Sequence, residues 1–189
     1  LNIGQSRGDT TIDLGNTGNY GDTRYYSGLQ IVDAATSHND IKLVGSAKAA
    51  NTLIGGTGAT SLYGGGSSRD SLVGGTGSDT FYYGDGDGRD TITGYHYDAA
   101  DVTDSDKLAF LTSDVTKVTR TSDDTVKVVF GSGTNNTLTV NMDTSDTPDT
   151  AIAYSVGGKD HLAKIGRSDA TANTFTYDST VDYYQGGTA

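Results

Sequence analysis

Between Gly55 and Gly94 lie thirteen of the chain's 27 glycines, and they recur with a period of nine residues. Residues 55–63 read GGTGATSLY, 65–73 GGSSRDSLV, 74–82 GGTGSDTFY and 85–93 DGDGRDTIT, and a weaker unit at 46–54 reads SAKAANTLI. The eighth position is always bulky and apolar: Leu53, Leu62, Leu72, Phe81 and Ile92. The sixth is Asn51, Thr60, Asp70, Asp79 and Asp90. Nine residues cannot bury a side chain on their own, so a tandem run of such units has to stack.

Composition agrees with strands and turns. All 24 acidic residues are Asp, Thr is the commonest residue at 29, and there is one Pro. Asp, Gly, Thr and Asn favour turns and strands, and the lack of Glu removes a common helix former. A helical bundle is excluded and a doubly wound α/β fold is strongly disfavoured. The hydrophobic fraction is only 33%, yet 12 Tyr and regularly spaced Leu, Ile and Val argue for an ordered all-β protein with a thin core. No apolar run approaches the ~20 residues of a membrane span, so no transmembrane segment is expected. The chain opens at Leu1, without an initiator Met, and is expected to be a piece of a longer protein. With no Cys there is neither disulfide nor thiolate chemistry, and so small a core needs another staple. A net charge of −11 argues against nucleic acid and anionic membrane as partners. It is either a solubility feature or a reservoir of oxygen ligands for a hard cation.

The nonapeptides resemble the G-G-x-G-x-D-x-U-x repeat of the RTX (repeats-in-toxin) family, where U is large and apolar. Unit 74–82 matches every fixed position; 85–93 departs at its first Gly, 65–73 at Ser68, and 55–63 at Thr60 in place of the acid. The resemblance implies a parallel β-roll, or β-solenoid, with calcium-binding Gly/Asp loops. Six residues of each unit form a tight loop with inward carbonyls, three make a short strand, and two units complete one coil. Sixth positions then fall into two rows. One runs Asn51, Asp70, Asp90; the other runs Thr60, Asp79 and, past the last full unit, Asp98. An oxygen-only cage suits Ca²⁺ and suits zinc or copper poorly. The expected calcium pairs are Asp70 with Asp90 and Asp79 with Asp98, with Asn51 and Asp70 a weaker site and Thr60 with Asp79 a poor one. Asp85 and Asp87 are candidates for an extra oxygen. Turn aspartates are also commonly just solvated.

Upstream, TTIDL at 10–14, LQIVDA at 29–34 and DIKLVG at 40–45 read as further coils without calcium, which makes residues 1–98 a solenoid. Downstream, KVTRT at 117–121 with TVKVVF at 125–130 reads as a hairpin, TLTVNM at 137–142 as a strand, and IAYSV at 152–156 with HLAKIG as a second hairpin. TFTYD at 174–178 and TVDYY at 180–184 follow. Residues 99–189 are therefore expected to form an antiparallel β cap over the open end. Asp9–Asp13 is echoed by Asp178–Asp182, and Tyr25–Gly28 by Tyr183–Gly186: either a coincidence of Asp/Thr-rich sequence or the start of a next repeat in a tandem array.

Catalytic signatures are absent. His38, His96 and His161 have no metal-ligand spacing, H-E-x-x-H is impossible without Glu, and G-x-S-x-G does not occur. Two-carboxylate glycosidase chemistry is disfavoured by the turn context of the aspartates. Arg7–Gly8–Asp9 is an integrin-type tripeptide that needs an exposed loop tip, and the Tyr pairs 25–26, 82–83 and 183–184 are either sugar-stacking platforms or strand surface. The expectation is a non-enzymatic, calcium-binding structural or adhesive module of a large secreted or bacterial cell-surface RTX protein. Its partners would be calcium ions, neighbouring modules of the same polypeptide and a host-cell or glycan ligand. The alternative is a calcium-dependent accessory module of a secreted enzyme, serving export or polysaccharide binding.

Overall fold

The computed structural model describes residues 1–3, 10–15, 24–25, 29–66, 68–98, 100–112, 114–122, 124–133, 135–143, 150–165 and 183–185. Arg7–Gly8–Asp9, Tyr26 and the run 174–182 lie outside them.

The fold is all-β. Short strands β1 (Thr10–Asp13) and β2 (Arg24–Tyr25) are followed by β3 (Ile31–Asp33), β4 (Ile41–Val44), β5 (Thr52–Ile54), β6 (Thr60–Tyr63), β7 (Ser71–Val73), β8 (Thr80–Tyr83), β9 (Arg89–Tyr95) and β10 (Lys107–Phe110). A single 3₁₀ turn, Val102–Asp104, interrupts the stretch between β9 and β10. Longer strands follow, β11 (Val115–Ser122), β12 (Thr125–Phe130), β13 (Thr137–Met142), β14 (Thr150–Val156) and β15 (Lys159–Ile165), and then the short β16 (Tyr183–Gln185). Among the described residues, no helix is long and apolar enough to cross a membrane.

The strands form two sheets, ordered β11-β12-β13-β9-β7-β5-β3 and β16-β15-β14-β10-β8-β6-β4-β1-β2. From β3 to β10 successive strands alternate between the sheets, and from β5 onward each pairs in parallel with the strand two places earlier. The register repeats Leu43↔Leu62↔Phe81↔Leu108 in one sheet and Val32↔Leu53↔Leu72↔Ile92 in the other. These eight side chains are all fully buried, so every eighth-position residue of the nonapeptides reaches the core as its period requires. Burying each contributes about 1.5–3 kcal/mol.

The two predicted hairpins form as β11–β12 and β14–β15, both antiparallel. They are not set apart from the repeats. β13 returns to pair in parallel with β9, and β14 with β10, so both parallel sheets continue into the downstream region. The parallel succession runs through β10, ending at Phe110, past the 98/99 boundary drawn from the sequence. Phe110, Phe130 and Tyr83 pack together there, with ring centroids 5.0–6.1 Å apart.

Candidate metal centre

The sixth-position residues sit just before or at the start of their strands, two residues ahead of the buried apolar side chain. Stacking therefore places them in rows. In the first row the Asn51 backbone N–H donates to Asp70 Oδ1 at 2.7 Å, and the Asp70 N–H donates to Asp90 Oδ1 at 2.8 Å. In the second the Thr60 N–H donates to Asp79 Oδ1 at 2.7 Å. These are not solvated turn aspartates: Asp70 is 2% exposed, and Asp79 and Asp90 1% each. One oxygen of each carboxylate is thus satisfied by the backbone of the preceding coil. The other, Oδ2 of Asp70, Asp79 and Asp90, is buried with no hydrogen-bond partner. An unpaired buried carboxylate oxygen is costly, and three in one small region call for a counter-charge.

Two of the three converge. A β-carbon built on Gly64 would lie 2.9 Å from Asp70 Oδ2 and 3.1 Å from Asp90 Oδ2. Only glycine leaves that point open. Gly74 stands in the same relation to Asp79 Oδ2, closer still. Asp87 lies beside the first row, its Oδ2 accepting the Gly84 N–H at 2.6 Å. Asp85 is drawn outward to Asn136, whose Nδ2 donates to Asp85 Oδ1 at 3.1 Å. Among the described residues no three carboxylate or imidazole side chains meet at one point, so a cation here would be held by carboxylates in ones and twos together with neutral oxygens. The residue types fit calcium: hard oxygen donors, glycine-lined, without nitrogen or sulfur.

The second row does not continue into Asp98. The Asp98 N–H donates to Ser105 Oγ, and its carboxylate accepts the Ala100 N–H at 2.7 Å, which organises the loop after β9. Asp106 takes the place beneath Asp79, because the 3₁₀ turn lengthens this step and β10 pairs Lys107 with Thr80. Asp106 Oδ1 accepts the Asp79 N–H at 2.9 Å, and Oδ2 accepts the His96 N–H, also at 2.9 Å. Both its oxygens are satisfied by protein donors, so Asp106 closes the row without needing an ion. A sequence signal for it existed: Asp106-Lys107-Leu108 has the same Asp-x-apolar spacing as Asp79-Thr80-Phe81. Asn51 ends the first row at the other side, its Oδ1 accepting the Ser46 N–H at 2.6 Å.

Burial is the main force on the carboxylates' ionisation. It pushes Asp70 up to about 6, against the Asn51 N–H, and Asp79 up to about 7, against Thr60. Asp90 is pushed up to about 8 by burial, with the negative charges of Asp70 and Asp87 adding to it. Asp106 rises to about 7, again by burial first. Asp87 is raised for the same reason. The fold without a cation therefore prefers these groups protonated.

The Tyr82–Tyr83 pair divides. Tyr82 faces outward and stacks on Tyr63 (centroids 4.3 Å apart, planes 2° apart), with Lys42 Nζ 4.5 Å from the Tyr63 ring centre on that sheet's outer surface. Tyr83 is wholly buried. No known family model matches the chain, and no curated protein matches it.

Proposed function

We propose that the chain is a calcium-stapled β-roll module of the RTX type, structural or adhesive rather than catalytic. Its place would be in a secreted or cell-surface protein beside further modules of the same polypeptide. The observation that carries this reading is the set of buried, unpartnered carboxylate oxygens of Asp70, Asp79 and Asp90, two of them meeting over a glycine. The alternation of β3–β10 between two parallel sheets supports the β-roll. A cation between Asp70 and Asp90 supplies the charge compensation that these oxygens lack, and its binding free energy adds to folding. Sites of the extracellular kind bind at roughly 10⁻⁴–10⁻³ M, so the repeats would stay loose where calcium is scarce and close where it is plentiful.

Hydrogen exchange tests the reading locally. Adding Ca²⁺ to chelator-treated protein is expected to protect amides at 68–93 strongly and those of the β11–β12 hairpin much less. Full protection of 68–93 in calcium-free buffer would show that the repeats need no ion.

A further inference from the structure

Among the described residues Tyr83 and Tyr95 are the largest fully buried side chains, and of the two only the Tyr83 hydroxyl has no hydrogen-bond partner. Its ring needs no hydroxyl to pack: Phe110 and Phe130 hold it at centroid distances of 6.1 and 5.8 Å, as they would hold a phenylalanine. A buried, unsatisfied hydroxyl is unfavourable compared with plain hydrogen, so its presence calls for a partner.

The register says where that partner lies. Tyr63, the last residue of β6, pairs with Tyr82, so Gly64 just past β6 and Tyr83 at the end of β8 follow the same pair along the sheet. Both face inward, Tyr83 by its complete burial and Gly64 because its missing β-carbon would meet Asp70 and Asp90. The phenol shares that interior with the two orphaned carboxylates, within reach of the charges of Asp90 and Asp70. Burial first, then the charges of Asp90, Asp70 and Asp87, hold its pKa well above that of an ordinary tyrosine, so it remains a neutral hydroxyl. Calcium takes six to eight oxygens, neutral ones included, and the carboxylates here supply few.

We propose that the Tyr83 hydroxyl is the neutral oxygen partner of the cation held by Asp70 and Asp90. This rests on the calcium reading above. The tyrosine would explain why the glycine of the preceding coils, Gly45 and Gly64, is not repeated at the equivalent third position.

The test is Tyr83→Phe in the full chain, read by calcium titration and by tyrosine-excited terbium emission. Terbium occupies calcium sites, and with no Trp in the chain only a nearby tyrosine can sensitise it. The variant is expected to bind Ca²⁺ about tenfold more weakly and to lose most of the terbium emission. Its calcium-free melting temperature should stay level or rise, since an unsatisfied hydroxyl has gone. A fall in calcium affinity together with a rise in calcium-free stability is a pairing that a purely structural tyrosine would not give. If wild type and Tyr83→Phe bind Ca²⁺ and sensitise terbium equally, the Tyr83 assignment is wrong and the carboxylate site stands. If wild-type protein binds neither ion, the calcium reading itself has failed and this inference with it.

Discussion

Calcium at 10 mM is expected to raise the melting temperature of chelator-stripped protein by about 10–20 °C. A ligand at a hundred times its dissociation constant stabilises by about 2.7 kcal/mol per site, which holds here if the sites bind near 10⁻⁴ M. Two sites, one at Asp70 and Asp90 and one at Asp79, give about 5 kcal/mol, and each kcal/mol moves the midpoint of a chain this size by about 2–4 °C. Magnesium should do far less. It demands octahedral geometry at short distances and gives up its waters reluctantly, whereas these loops offer irregular oxygens. Scanning calorimetry with EGTA, Ca²⁺ and Mg²⁺ in turn decides the matter, and equal midpoints in all three would remove calcium from the account.

Gly64→Ala should abolish the response of the first row. The new methyl would sit 2.9 and 3.1 Å from Asp70 Oδ2 and Asp90 Oδ2, in the space left open between the two oxygens. It would exclude the ion and crowd two buried carboxylates at once, so about half of the calcium-induced shift in melting temperature should vanish and the calcium-free protein should also weaken. Gly84→Ala is the control. A β-carbon there meets nothing nearer than Asp87 Oδ2 at 3.6 Å, which is ordinary contact. Equal calcium responses in the two variants would show that the space above Gly64 holds nothing.

Much of this was legible in the repeat. The spacing of Leu53, Leu62, Leu72, Phe81 and Ile92 required them to share one interior, and all five are fully buried. The first row, Asn51 to Asp70 to Asp90, followed from steps of 19 and 20 residues and is joined by backbone-to-carboxylate hydrogen bonds. The second row failed at its third member, because counting forward a fixed step lands on Asp98 while the inserted 3₁₀ turn moves the register to Asp106. A chain's own insertions are invisible to a fixed period, although the Asp-x-apolar spacing around Leu108 would have found it. The buried role of Tyr83 was also hidden, since Tyr82 and Tyr83 are chemically the same in sequence and only the pleat sends one out and the other in. Nor does local patterning reveal that β13 and β14 rejoin the parallel sheets. That pairing spans more than 40 residues and is decided by which sheet edge is left open.

If buried carboxylates make the fold need a cation, the pH dependence of unfolding must change when calcium is added. Each folded-state pKa lies above the unfolded value near 4, at about 6 for Asp70, 7 for Asp79 and Asp106, and 8 for Asp90. The folded chain therefore holds protons that the unfolded chain has released. Without calcium the stability these groups contribute is complete below about pH 4 and is lost as pH rises through 6 to 8. A calcium ion held by the same oxygens would compete with these protons and bind better as they ionise, so its contribution should grow over that window. Unfolding free energies from pH 5 to 8, with EGTA and with 10 mM Ca²⁺, should fall steeply in the first series and stay level or rise in the second. Two parallel curves, or a calcium-free stability that rises toward pH 8, would contradict the account.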